Sequence, residues 1–171
     1  DPVEFFVEFV RPVVDGYFLM LKRTGLQIEA HAQNLVYHFD EEWQVASIVY
    51  RDMESVDKDL SLIEELALKT VLTPMRYKSV SREDPSYAIK HSFMYDFKMG
   101  EYLLRPLCAT WSAWTGVDDA VLHELVGEVA RVHLADLPDD FFPSDWFDYG
   151  AEVFEGRVDR PYVAHSSPSF R

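Results

Sequence analysis

Phe5, Phe6, Phe9, Val10, Val13, Val14, Tyr17, Phe18 and Leu21 recur at spacings of 1, 4, 5, 8 and 9 near the start of this chain. Side chains in that rhythm share one side of a helix, and an apolar face so broad has to be buried. Lys22, Arg23 and then Gly25 form a conventional helix stop. Pro12 lies inside the run, where it is expected to kink the helix or mark a boundary. The period then changes. Residues 35–39 (Leu-Val-Tyr-His-Phe) and 45–50 (Val-Ala-Ser-Ile-Val-Tyr) are β-branched and aromatic, with Asp40, Glu41 and Glu42 between them. This pattern predicts a β-hairpin, entered through a loop at 29–34 and left at Arg51-Asp52.

Beyond the hairpin the chain reads as helical. Ser61 to Leu72 predicts a short helix ended by Thr73-Pro74. Asp84-Pro85 predicts an N-cap with proline at the first helical position, opening a helical stretch to Trp114 with a break near Gly100 or Pro106. Val117, Val121, Leu122, Leu125, Val129 and Val132 mark another helix, with Asp118 and Asp119 in its first turn. Ser144 is expected to cap a last helix through Phe154, and 157–171 to be loop. There is no repeat, low-complexity tract or linker, so a single domain over 1–171 is expected. Its class is α+β, predominantly helical with a central β-hairpin or small antiparallel sheet.

Charge and cysteine content narrow the function classes. The chain carries 16 basic and 30 acidic residues, for a net −14. Nucleic acid is bound by a surplus of Lys and Arg, so no nucleic-acid partner is expected; a small anion can still be held by a few cations lining a pocket. Cys108 is the one cysteine, which excludes an intramolecular disulfide and any cysteine-rich zinc or iron–sulfur site. The thiol count fits a reducing, cytoplasmic setting. No run approaches the roughly 20 apolar residues of a membrane span, so no membrane partner is expected. The opening Asp-Pro-Val-Glu has neither an initiator Met nor a leader signature. The chain is expected to be the C-terminal fragment of something longer.

The residues that carry chemistry crowd the hairpin's entry and exit: Glu29, His31, Gln33 and Asn34, then Arg51 and Asp52. Asn34 opens the first strand and Asp52 closes the second, so an antiparallel hairpin brings both to one end. An amide oxygen and a carboxylate there are hard ligands suited to Mg²⁺, which keeps waters and borrows phosphate oxygens. His31 and Arg51 are placed to contact phosphate oxygens. The layout is distantly kinase-like, because Glu29 precedes Asn34 by five residues as a kinase's catalytic Asp precedes its Asn. The His-Arg-Asp triplet, the Gly-rich loop and the strand lysine of a kinase are absent from the sequence.

The run from Gly25 to Asn34, the hairpin and Arg51-Asp52 resemble the E-x-H-x-Q-N … R-D signature of NRPS-independent siderophore synthetases of the IucA/IucC type. The match is continuous over 25–52, extends as helical context to about Arg131, and leaves the tail after Pro138 unplaced. The resemblance implies an ATP- and Mg²⁺-dependent ligase that adenylates a citrate-like carboxylate, which an amine or alcohol then attacks. It implies that His31 contacts the ATP phosphates or the substrate carboxylate. Glu29, Asn34 and Asp52 would lie at the metal and phosphates, with Gln33 and Arg51 in support. It further implies a missing N-terminal part, which carries the Ser, Lys and Arg residues that grip the triphosphate, and a homodimer. The same domain type also bears a ferric-siderophore reductase label, which the single cysteine opposes.

Lys98 and Arg105 are weaker candidates for substrate carboxylates, against a plain solvated helix face. Trp111 and Trp114 have the spacing of a nucleobase-stacking pair but also that of core. His123-Glu124 begins like a zinc-protease helix, yet Gly127 stands where the second His belongs. Two rivals remain: a phosphotransferase using Glu29 as base, and a non-catalytic domain that binds a ligand or partner.

Overall fold

The structure is a computed structural model and describes residues 1–53, 56–69, 78–143, 147–148, 165–166 and 170–171. Its organising element is α1 (Pro2–Thr24), capped by Asp1, whose carboxylate accepts from the Val3 N–H at 2.9 Å. Gly25 ends the helix at φ 68°, a left-handed turn disfavoured for residues with a Cβ. A Cβ here would also lie 2.5 Å from Ile63 Cγ1. Contrary to expectation, α1 runs unbroken through Pro12. The ring removes one N–H and leaves the carbonyl of Glu8 without its helical partner; Glu8 is exposed, so water can serve it. Phe6, Val10, Val13, Val14, Tyr17, Phe18 and Leu21 form the buried stripe.

The hairpin forms as the alternation predicts. Strands β2 (Leu35–Phe39) and β3 (Val45–Tyr50) pair antiparallel, Leu35 opposite Tyr50, with a bulge at His38/Phe39. Its inner face is pinned to α1 by two phenols: Tyr37 donates to the Phe9 carbonyl at 3.0 Å and Tyr50 to the Val13 carbonyl at 2.7 Å. Gly16 permits that approach, since a Cβ there would sit 2.6 Å from the Tyr50 hydroxyl.

A second, three-stranded sheet has no hydrophobic signal in the sequence. β1 (Leu26–Gln27) pairs antiparallel with β4 (Asp57–Asp59), and β4 pairs parallel with β5 (Ser79–Val80). α2 (Leu60–Glu65) follows β4 directly, capped by Asp59, and ends well before the expected Leu72. Leu66 to Lys69 are already exposed, so no apolar face remains to hold a longer helix, and Thr73-Pro74 lies outside the described residues.

The helical stretch opens at Ser86, not Asp84. Asp84 instead accepts from the Ser81 N–H at 2.8 Å, shaping the turn before α3 (Tyr87–Ser92). The expected break is a change of hydrogen-bond register: Phe93–Leu104 is a π-helix, and α4 (Arg105–Thr115) resumes the α form, with Pro106 in its first turn. The π register pairs residues five apart. Lys98 lies over the Phe93 ring at 5.4 Å, and Phe97 meets Tyr102 edge-on at 5.1 Å. α5 (Asp119–Leu134), capped by Asp118, packs on α1. Its buried stripe is Leu122, Val126, Gly127, Val129 and Ala130, while Val121 and Val132 face solvent. Trp111 is core, packed at tilted and edge-on angles among Phe5, Phe6 and Phe9, and Trp114 is 74% exposed, so the two do not form one stacking surface.

The tail differs most from expectation. Phe147–Asp148 (β6) pairs antiparallel with His165–Ser166 (β7), where a helix and a loop were predicted; Ser144 and 149–154 lie outside the described residues. Phe170 is buried, its carbonyl accepts from the Tyr95 hydroxyl at 2.8 Å, and Arg171 pairs with buried Asp96 at 2.8 Å. An α+β architecture, mainly helical with small sheets, is what results. Among the described residues no helix is long and apolar enough to cross a membrane.

Candidate functional site

Between β1 and β2 the chain alternates: Ile28 and Ala30 are buried, and Glu29 and His31 are partly open. Burial of these two apolar side chains fixes the path of the loop beneath its polar ones. His31 then organises the one-turn 3-10 helix Ala32–Asn34, its Nδ1 accepting from the Gln33 N–H at 3.3 Å and its carbonyl from the Asn34 N–H at 2.9 Å. Because Nδ1 accepts, a neutral His31 carries its proton on Nε2, which lies 3.9 Å from Glu29 Oε1.

Lys98, projected from the π-helix, reaches the same carboxylate at 2.5 Å. His31, Ala32, Gln33, Lys98 and Tyr102 line a cleft of about 450 Å³. A donor imidazole, an amide, an ammonium and a phenol thus surround one opening, a set suited to an anionic, oxygen-rich ligand.

Asn34 is buried beneath this opening, its amide Nδ2 donating to the Glu29 carbonyl at 3.1 Å. Its own carbonyl accepts from the Arg51 N–H at 2.7 Å, so the entry loop and the hairpin exit meet directly. Arg51 and Asp52 are exposed at that exit. Asp52 has φ 56°, a left-handed conformation that Asp tolerates better than most residues with a side chain. Arg105 does not line the cleft. It pairs with Glu101 at 2.8 Å and lies over the Phe170 ring at 5.7 Å.

Two residues of this region are not among the sequence's candidates. Tyr102 joins the cleft four residues after Lys98, a spacing that keeps the two on one side of a helix. Asp57, on β4 opposite Gln27, feels Glu29 among its charged neighbours; burial pushes its carboxyl up to about 6, with Lys90, Lys78 and Lys58 opposing the rise. Beneath lies a sealed network. Gln27 Oε1 accepts from the Tyr17 hydroxyl at 3.2 Å and lies 2.8 Å from His91 Nδ1. Buried Asp59 accepts from the Tyr87 hydroxyl at 2.7 Å and from the Leu62 N–H at 2.9 Å, with His91 Nε2 3.2 Å away. Burial alone would raise the Asp59 pKa, but these contacts hold it below the ordinary carboxylate value. Among the described residues no three His, Cys, Asp or Glu side chains gather closely enough to hold a metal by themselves.

The family model described as "Ferric iron reductase FhuF-like transporter" matches residues 3–150. Among solved structures, the petrobactin biosynthesis protein AsbB from Bacillus anthracis str. Sterne shares the fold at a TM-score of 0.70 and 12% identity. The similarity covers 98% of this chain and 30% of that one, so the chain spans under a third of its structural neighbour. No curated protein sequence matches the chain.

Proposed function

The chain belongs to the FhuF-like family, and from that premise we propose that it is the nucleotide- and metal-binding part of an ATP-dependent siderophore synthetase. The observation that supports the proposal is the backbone hydrogen bond from the Arg51 N–H to the Asn34 carbonyl at 2.7 Å, which brings the hairpin exit next to the Glu29–Asn34 loop. AsbB, whose fold is shared, is by its description a petrobactin biosynthesis protein, and the motif over 25–52 supports the synthetase reading.

In the complete enzyme a citrate-like carboxylate is adenylated and then captured by an amine or alcohol. Asp52, the Asn34 amide oxygen and Glu29 would be the hard oxygen donors for Mg²⁺. A set this small fits an ion that takes one or two carboxylates and completes its shell with phosphate oxygens. When bound, the ion would offset charge on the phosphates. His31 Nε2–H and Lys98 hold the attacking carboxylate or the α-phosphate oxygens, and Gln33 supplies a further amide contact. Glu29 keeps Lys98 extended toward the cleft until a ligand's anion takes over the ammonium. No general base is required for the first half-reaction, since a carboxylate is already ionised near neutral pH.

The reductase in the family description requires a redox centre. This chain's lone thiol, Cys108, is buried and pushed up to about 12, so cysteine-ligated iron is not assigned to it. Cytoplasmic localisation and a homodimer remain part of the proposal.

Calorimetric titration of Mg-ATP into the chain, with Asp52→Asn as control, tests the site. Saturable, magnesium-dependent binding that the variant abolishes is the expected result. In an enzyme completed with its upstream part, AMP and pyrophosphate as products support the synthetase. ADP would instead establish a phosphotransferase, and absence of turnover a ligand-binding domain.

A further inference from the structure

A second cleft, of about 540 Å³, opens where the ends of α1, α2 and α5 converge with the turn before α3. Leu62, Tyr87, Ala135, Leu137, Pro138 and Phe141 give it an apolar body, and Lys22, Glu65, Arg82 and Asp136 supply its charges. Predominantly apolar walls with a few fixed polar groups, at this volume, are the make-up of a small-molecule pocket. The walls are tied to the core. Tyr87 is tied to buried Asp59, Phe141 packs on the His91 ring at 3.8 Å, and Leu137 and Phe141 are each held by a backbone turn. None of these residues lines the His31 cleft.

We propose that this cleft binds a small organic carboxylate with an apolar body, the anion on Arg82 and Lys22 and the body against Tyr87, Leu137 and Phe141. Both cations are held by acids: Lys22 by Asp136 at 3.0 Å, and Arg82 by Glu65 through both guanidinium nitrogens. The acids are poor competitors. The Asp136 side chain is 75% exposed against 22% for Lys22, and exposed ion pairs are worth little. The Glu65 and Arg82 side chains are themselves 49% and 40% exposed, so a ligand carboxylate can replace Glu65 at Arg82 at small cost, one two-point contact exchanged for another. The sign of the ligand follows from the whole molecule. On a chain of net −14 a cation is attracted almost everywhere, whereas an anion needs a built site such as this one.

The test is an amide-shift titration of the isotope-labelled chain with 3-phenylpropionate, compared with 3-phenylpropan-1-ol and 3-phenylpropylamine. Saturable shifts are expected at Tyr87 and residues 135–141 with the acid, and affinity falling about tenfold or more in Arg82→Gln. Lys22→Gln should cost less. Leu137→Trp, which fills the cavity, should abolish the shifts while the rest of the spectrum is preserved. Equal or tighter binding of the alcohol or amine, shifts centred on 31–33 and Lys98, undiminished binding in Arg82→Gln and Leu137→Trp, or no saturable shift would each overturn the proposal.

Discussion

Gln27 and Glu29 are two residues apart, yet they belong to opposite kinds of polar site. Gln27 lies in a sealed network with Tyr17, His91, Asp59 and Tyr87, where Gln27, Asp59 and His91 are fully buried. Glu29 faces His31 and Lys98 at an open cleft. Burial makes the difference. In the sealed network the fold relies on the contacts each polar group makes, because an unpaired group there has no water to turn to. At the cleft the contacts are exchangeable, so the same residue types are free to meet a ligand. Polar density in a sequence marks both kinds, and exposure separates them.

The largest test of that contrast is Asp59→Ala against Asp52→Asn. Removing Asp59 strands Tyr87, the Leu62 N–H and His91 together, and is expected to cost about 3–5 kcal/mol in urea unfolding. Asp52→Asn, at the exposed exit, should stay within about 0.5 kcal/mol while abolishing nucleotide binding. Similar stability losses in the two variants would erase the distinction.

Asp57 sits between the two regions and sharpens the comparison through pH. Its carboxyl is raised from 3.8 to about 6 in the fold, so between those values the folded chain holds the proton more tightly than the unfolded one. Stability from this group is full below about pH 4 and is lost as pH rises through 6. Asp57→Asn is therefore expected to stabilise the chain above pH 6 by up to about 3 kcal/mol, taking about 1.4 kcal/mol per pKa unit. Near pH 4 it should have little effect, and unfolding curves at pH 4 and 7.5 decide. A stabilisation that does not change with pH would place Asp57 with the exposed residues.

Lys98→Ala is also expected to change stability little. Its pair with Glu29 is partly exposed, so unfolding should shift by no more than about 1 kcal/mol. Affinity for an anionic ligand in the cleft should nevertheless fall about tenfold, read by calorimetry with Mg-ATP. A large stability loss with unchanged affinity would move Lys98 to the structural side of the comparison.

Strong periodicity made much of this architecture legible. α1, the hairpin and α5 are amphipathic, and their apolar faces announce both the element and its buried side. The loop at 29–34 and the exit at 51–52 were legible because hairpin geometry alone brings them together. The sheet of β1, β4 and β5 was not, since Lys58, Asp59 and Ser79 look like a solvated loop and are buried only through long-range partners. Arg105 looked like Lys98 because an α-helical period was assumed for both. The π register of residues 93–104 carries Arg105 off the side of Lys98, whereas Tyr102, four residues after Lys98, stays on it. The end of the tail was equally hidden, because Phe170 and Arg171 act singly and form no pattern.

The π-helix has a consequence for how this chain can tolerate length changes. Phe93–Leu104 holds more residues per turn than an α-helix needs, and α-helical segments flank it on both sides. A one-residue deletion within it can be absorbed by tightening toward the α form, leaving both flanks helical. In an α-helix each residue accounts for about 100° of rotation, so the same deletion there would swing everything downstream to another face. The segment that presents Lys98 and Tyr102 therefore behaves as a length buffer, where the cleft's lining can be re-aimed by gaining or losing single residues while α1, α4 and α5 keep their packing.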